Sequence, residues 1–332
     1  MLEKVVHKKG KKWRCFLLTL IFLLCLAENI LVFRSIELIP ANWRSLFQDS
    51  PIVKELGWIN RPNCSSSASV PALDYAAENV DEKGRRYSGK DLGNPQKRFL
   101  FMGDSWTFGT ELADTDIFAW KLQKKFSRWQ FDNYAVPAYG TSQCWKYMEY
   151  LLSMPDCPDY DACFYFSIGC HLSRNYTFCP GRIYPQNTIM NPYARIEGGH
   201  LKYMPADIPY WPGMETFHII SWSRSLYYTY LNNIAALNDN EALKLYYAIL
   251  EEMSAIADKN GKKFIVADLE KKIGIPSSLS EKGVIYLDLT FPDIDKPQYR
   301  MGHDMARHPT PEVHDYWTEK LSAFLEKEFA NE

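Results

Sequence analysis

The chain has 332 residues, of which 46% are hydrophobic and 23% charged, and its formal net charge at pH 7 is −2. This composition excludes a disordered or fibrous chain and predicts a globular protein. The first 14 residues carry six basic side chains and one acidic side chain, which leaves the rest of the chain net acidic. An acidic body argues against nucleic acid as a partner, because phosphate binding needs a basic surface.

The basic tail 1–14 is followed by an apolar segment, 15–34, which Glu28 interrupts. Its apolar stretch is about long enough to cross a bilayer as a helix, and the basic flank predicts a signal-anchor with a cytoplasmic N-terminus. The main domain is then expected to be periplasmic or otherwise extracytoplasmic. A cleaved signal peptide is the rival interpretation, although no small-x-small cleavage site follows. Glu28 indicates a position near the outer interface or, alternatively, a partner helix.

Six cysteines lie beyond the predicted anchor, and in an oxidising compartment an even number permits disulfides. Their spacing leaves the pairing open. The chain has no tight CxxC pair, so we expect no zinc site. No cofactor is expected either. The six residues are Cys64, Cys144, Cys157, Cys163, Cys170 and Cys179.

Residues 35–95 form an irregular lead-in, because Ser, Pro and Gly interrupt any period. From 96 to 330, short apolar runs alternate with amphipathic stretches. This alternation predicts a three-layer α/β/α sandwich around a parallel sheet. An aromatic-rich insertion or lid is predicted at about 176–235. The predicted strands are 99–102, 134–136, 162–168, 264–267 and 284–287, and the predicted helices are 118–126, 142–152, 241–259 and 311–329.

Candidate site residues follow these strands, at the sheet edge where open α/β folds bind ligands. A serine hydroxyl becomes a nucleophile when an imidazole takes its proton and a carboxylate orients that imidazole. Ser105, His308 and Asp304 are candidates for these roles. Taken alone, a Gly-Asp-Ser segment is equally typical of a turn or a helix cap.

Three ordered blocks resemble those of SGNH/GDSL hydrolases of the membrane-anchored bacterial type. They are residues 97–109 (KRFLFMGDSWTFG), residues 133–143 (NYAVPAYGTSQ) and residues 308–314 (HPTPEVH), the last followed by an amphipathic stretch. The resemblance covers roughly residues 51–329 and implies an SGNH, flavodoxin-like sandwich. It also implies that Ser105 is the nucleophile, that His308 is the base, and that the backbone N–H groups of Ser105 and Gly140 stabilise the oxyanion.

Two positions depart from the family pattern. Cys170 and His171 stand where the family has an Asn-Asp pair, whose asparagine is an oxyanion donor. In other hydrolases the loss of one such donor raises the barrier by about 2.7–4 kcal/mol. His171 is therefore a candidate replacement donor. Asp304 stands four residues before His308 rather than the family's three.

The resemblance implies an anchored extracytoplasmic serine esterase or O-acyltransferase. Its substrates would be O-acylated cell-envelope glycans or small esters, and its partner a multi-span membrane acyltransferase. The Cys170–His171 replacement motivates an alternative, a catalytically inactive SGNH-fold subunit of a membrane complex. A third hypothesis, from the Tyr and Trp content of the insertion, is a carbohydrate-binding module.

Overall fold

In the computed structural model, contacts divide the chain into two compact units. The first comprises residues 1–57, 178–191 and 206–236, and the second comprises residues 58–177, 192–205 and 237–332. The structure describes residues 16–17, 19–28, 51–66, 78–177, 191–206, 218–270, 273–301 and 308–330.

The described residues include nine strands and, besides the helical residues 16–17 and 19–28, nine α-helices, which we number in chain order. The strands are β1 (Cys64–Ser66), β2 (Glu78–Val80), β3 (Lys97–Met102), β4 (Trp129–Asn133), β5 (Ala162–Ser167), β6 (Tyr193–Glu197), β7 (His200–Met204), β8 (Lys263–Asp268) and β9 (Ile285–Asp288). The helices are α1 (Pro51–Leu56), α2 (Ser105–Phe108), α3 (Phe118–Lys125), α4 (Thr141–Ser153), α5 (His171–Arg174), α6 (His218–Ile234), α7 (Asp239–Lys259), α8 (Ser277–Glu281) and α9 (Pro311–Phe329).

A five-stranded sheet in the order β4-β3-β5-β8-β9 forms the centre of the second unit. Every neighbouring pair in it is parallel. Phe99 and Phe101 of β3 belong to an apolar cluster with Phe118 of α3 and Trp317 of α9, so these two helices cover one face. Tyr246 of α7 donates to a β5 serine hydroxyl, and α7 packs on α4, which covers the other face. The predicted three-layer sandwich is confirmed.

The position of β4 differs from the prediction of a strand at 134–136, because the observed strand ends at Asn133. Its sequence, WQFDN, contains polar residues, so it does not form the apolar run that predicts a buried strand. Asp132 is nevertheless buried and is paired with Arg85 at 2.6 Å and with Arg98 at 2.7 Å. Ion pairing therefore permits burial of a strand that the hydrophobic pattern does not reveal.

Regular elements also occur where an irregular chain or an insertion was predicted. The lead-in 35–95 contains α1 and the antiparallel pair β1–β2. The insertion 176–235 contains the antiparallel hairpin β6–β7, which belongs to the second unit, and α6, which belongs to the first.

In the first unit, residues 16–17 and 19–28 are helical, and most of their apolar side chains are exposed. The predicted anchor 15–34 extends beyond these described residues. Among the helices that the structure describes, none combines the length and the apolar character required to cross a membrane. The anchor stays a prediction. Glu28 Oε2 accepts a hydrogen bond of 2.8 Å from the backbone N–H of Ile219, in the first turn of α6.

Candidate active site

Ser105 is the first residue of α2, directly after the turn that follows β3. Asp104 caps this helix, since its Oδ1 accepts a 3.0 Å hydrogen bond from Trp106 N. A Cβ at Gly103 would lie 2.1 Å from Thr107 Oγ1, so only glycine permits this tight turn. The first N–H groups of a helix have no partner within the helix. The turn therefore offers the Ser105 N–H to a developing negative charge.

Glu111 follows α2 by three residues and has a backbone φ of 70°. A left-handed conformation in a residue other than glycine costs on the order of 1–3 kcal/mol and persists only where surrounding contacts enforce it. One such contact is the hydrogen bond from Glu111 N to Glu78 Oε1, at 2.5 Å. This backbone geometry places the Glu111 carboxylate beside His308.

His308 is buried, and its Nδ1 lies 3.2 Å from Glu111 Oε2. The histidine belongs to a short antiparallel pairing, in which Met301 N donates to His308 O at 2.6 Å and Thr310 N donates to Tyr299 O at 3.1 Å. These two atoms face each other without forming a hydrogen bond. A carboxylate at this position stabilises the imidazole once it is protonated, which leaves Nε2 for proton transfer.

A second contact ties the His308 segment to the serine turn. The Arg300 guanidinium lies 4.4 Å from the centre of the Trp106 ring, and Trp106 is the neighbour of Ser105. Arg300 in turn forms an antiparallel bridge with Pro309, the residue after His308. The structure thus brings the first and last blocks together at the carboxyl end of β3.

Asp304, which the sequence predicts as the orienting carboxylate, lies outside the described residues. Its role stays a prediction. The structure instead places the Glu111 carboxylate beside His308, and no motif in the sequence predicts this contact. The available signal was its position just after the Gly-Asp-Ser block.

His171 is fully buried, with Nδ1 2.7 Å from Tyr165 Oη and Nε2 3.4 Å from Asp104 Oδ2. Burial lowers the pKa of His171, and the nearby Asp104 only partly offsets this effect. Burial alone would raise the pKa of Asp104, but His171 and Arg174 hold it well below its usual range. Both His171 nitrogens therefore face protein groups, and its role as an oxyanion donor stays a prediction.

Gly140 precedes α4, and its N–H donates a 3.1 Å hydrogen bond to Gln143 Oε1. A Cβ at this position would lie 2.8 Å from Arg174 Cβ, so glycine is required for the close approach of α5. For Gly140 to stabilise an oxyanion, its N–H must be shared with, or released by, the Gln143 amide. The predicted donor is thus at the expected sheet edge but carries an internal hydrogen bond.

Cys170 occupies the position of the family's asparagine and is half-buried. Burial raises the pKa of its thiol to about 12. The adjoining Gly169 N–H donates to Glu270 Oε2 at 2.9 Å, and Glu270 pairs with Arg300. Five described cysteines form no disulfide: Cys64, Cys144, Cys157, Cys163 and Cys170.

A pocket of about 210 Å³ adjoins α2 and the Glu111 turn. Phe108 and Thr110 line it on the α2 side, and Pro137 lines it from the segment after β4. Glu78, which holds the Glu111 backbone, is also part of its wall. The pocket therefore lies at the last residue of α2, Phe108, and is lined by neither Ser105 nor His308.

No protein-family model and no curated protein sequence matches the chain. Among solved structures it is similar to the psychrotrophic esterase EstA from Pseudoalteromonas sp., with 10% identity, 70% of this chain and 100% of that chain covered, and a TM-score of 0.41. It is similar to a member of the lipolytic G-D-S-L family from Veillonella parvula, with 11% identity, 70% and 98% coverage, and a TM-score of 0.39. A third is the salicylyl-acyltransferase SsfX3, with 11% identity, 73% and 60% coverage, and a TM-score of 0.36. Other solved structures to which the chain is similar are described as a putative lipolytic protein of the G-D-S-L family and as a GDSL-like lipase.

Proposed function

We propose that this chain is a serine esterase or O-acyltransferase that works through an acyl-Ser105 intermediate. The observation that carries the proposal is the buried His308–Glu111 pair, 3.2 Å apart, which is tied to the Ser105 turn. Ser105 Oγ attacks the ester carbonyl while His308 Nε2 takes its proton. The alcohol then leaves with that proton, and water or an acceptor hydroxyl cleaves the acyl-serine in the reverse manner.

The Ser105 N–H and the Gly140 N–H are the proposed oxyanion donors. The Ser105 N–H contributes because it lies in the first turn of α2. The Gly140 N–H contributes when its hydrogen bond to Gln143 Oε1 breaks. We further propose that the acyl group is carried by a cell-envelope glycan.

We also propose that residues 15–34 anchor the chain in a membrane, with the N-terminus cytoplasmic and the second unit extracytoplasmic. The basic tail 1–14 and the exposed apolar side chains of helical residues 16–17 and 19–28 support this arrangement. A multi-span acyltransferase is the proposed partner, as the resemblance implies. Carbonate extraction of cell membranes tests anchoring, and co-purification under mild detergent tests the partner.

Hydrolysis of an aryl acetate by the full chain tests the chemistry, together with labelling by a fluorophosphonate probe. We expect the wild type to turn over the ester and to accept the probe. Ser105→Ala should do neither, whereas Ser173→Ala, a substitution of an exposed serine of α5, should do both. Equal hydrolysis by wild type and Ser105→Ala would contradict the proposal.

The second candidate function is a non-catalytic subunit of a membrane complex. The internal hydrogen bond of Gly140 and the replacement of the family's asparagine by Cys170 favour it. It predicts a folded protein that the fluorophosphonate does not label and that co-purifies stably with a membrane protein. Labelling of Ser105 would exclude it.

A further inference from the structure

The apolar N-terminal helix and the insertion helix α6 meet within the first unit. Glu28 Oε2 accepts the Ile219 N–H at 2.8 Å, so the only acidic residue of the apolar segment satisfies a backbone donor in the first turn of α6. A carboxylate at the N-terminus of a helix is also favoured by the helix dipole. Glu28 of the apolar helix is therefore joined to the beginning of α6.

One face of α6 combines exposure with an absence of charge. Leu226, Tyr230 and Ile234 are 49%, 63% and 64% exposed. They recur at the spacing of four residues that places side chains on one helix face. Tyr227 and Asn233 are exposed beside them, and no charged residue lies on this stripe. Over its 17 residues α6 carries one formal charge, that of Arg224, with histidine counted as neutral.

Leucine and isoleucine favour hydrocarbon, whereas tyrosine places an apolar ring and a polar hydroxyl at the boundary between lipid and water. A helix can place such an apolar stripe at the boundary between headgroups and acyl chains by lying in the plane of the surface. The hydrogen bond between Ile219 N and Glu28 Oε2 links α6 to the apolar helix, which would hold α6 at the membrane surface. The chemistry of the stripe thus matches a lipid surface.

We propose that α6 lies in the headgroup region of the bilayer, with the Leu226–Tyr230–Ile234 face in lipid and its first turn held by Glu28. This inference rests on the membrane anchoring proposed above and is independent of the ester chemistry. It adds a second membrane contact, contributed by the insertion, beside Glu28 of the proposed anchor.

Photo-crosslinking of the full chain, expressed in its membrane and kept there, tests the inference. The photoreactive residue benzoyl-phenylalanine replaces Tyr230 in one variant and Tyr150, a 41% exposed tyrosine of α4, in a control. After irradiation, mass spectrometry of the isolated peptide measures lipid adducts. We expect at least a tenfold higher adduct yield at position 230. Leu226→Asp in the same background should lower the yield to the control level, and Leu226→Phe should preserve it.

Equal adduct yields at positions 230 and 150 in a membrane-anchored chain would overturn the proposal for α6 alone. A protein adduct at position 230 without lipid would overturn it too, since the stripe would then be a protein interface. A chain that carbonate releases from membranes would overturn both the anchor and this inference. None of these outcomes depends on ester hydrolysis.

Discussion

Two buried histidine–carboxylate pairs lie near the carboxyl end of the sheet, and they differ in their surroundings. His308 and Glu111 are 3.2 Å apart, with side chains 8% and 16% exposed. His171 and Asp104 are 3.4 Å apart, with side chains 0% and 1% exposed. The residue types are almost the same, but the first pair retains access to solvent and the second is sealed.

The neighbours decide what each pair can do. In the sealed pair, Arg174 pairs with Asp104, and the two imidazole nitrogens face Asp104 and Tyr165. In the open pair, the carboxylate contacts Nδ1 and leaves the other nitrogen for chemistry. A histidine beside a carboxylate is thus a catalytic candidate only when its far nitrogen faces a reacting group.

The largest expected effect comes from removing the imidazole of the open pair. His308→Asn should lower kcat/KM for the aryl acetate by about 10²- to 10⁴-fold, the usual contribution of a positioned general base. Circular dichroism should show an unchanged fold. A loss below tenfold would mean that another group takes the Ser105 proton.

Removing the carboxylate of the same pair should have the next largest effect on the rate. The Glu111 carboxylate faces His308 Nδ1 without forming a hydrogen bond, and we expect that bond to form when the imidazole takes the Ser105 proton. A hydrogen bond to a charged group contributes about 1.5–3 kcal/mol, so Glu111→Gln should lower kcat/KM by roughly 10- to 150-fold. Asp304→Asn is the matched comparison, since the sequence predicts Asp304 for this role. If Asp304→Asn has the larger effect, the orienting carboxylate is Asp304.

Substitution in the sealed pair should affect stability more than rate. His171→Phe leaves Tyr165 and Asp104 without their shared imidazole, which should lower the free energy of unfolding by about 1–3 kcal/mol. Urea unfolding measures the loss, and His171→Gln, which keeps a hydrogen-bonding amide, should recover part of it. A change in kcat much larger than that of stability would instead support the oxyanion role predicted for His171.

The smallest effect is a pH dependence of stability. Burial lowers the pKa values of His171 and His314 in the folded state, so the unfolded chain binds more protons below its own histidine pKa of about 6.5. Their stabilising contribution is therefore present above that pH and is lost as the pH falls further. Unfolding measured between pH 7 and pH 5 should show this loss, and His171→Phe should reduce the slope. A slope equal to that of the wild type would show that His171 is protonated in the folded state.

The sequence predicted the elements in which local pattern and burial agree. The apolar run 99–102, ended by Gly-Asp-Ser, predicted both β3 and the turn that presents Ser105. The alternation of such runs with amphipathic stretches was sufficient for the three-layer fold. These features depend on neighbouring residues, so one sequence reveals them.

Features that depend on distant residues were not predicted. Glu111 and His308 are 197 residues apart in the chain (308 − 111), so local pattern does not predict their contact. The left-handed backbone of Glu111 has no sequence signature in a residue other than glycine. The strand β4 was placed five residues too late, because the arginines that neutralise Asp132 lie elsewhere in the chain. Sequence reasoning recognised the chemistry of each block but not the partners that each block finds.

The ion-paired edge of the sheet also determines where this protein can be shortened. Arg85 pairs with Asp132, and Arg86 N donates to Asn133 O, so the lead-in covers the outer side of β4. A truncation at residue 95 would retain every block of the hydrolase pattern. It would also leave Asp132 with one fewer cation and expose an unpaired strand edge, the kind of surface through which β-proteins aggregate. Soluble fragments for crystallisation should therefore begin before β1.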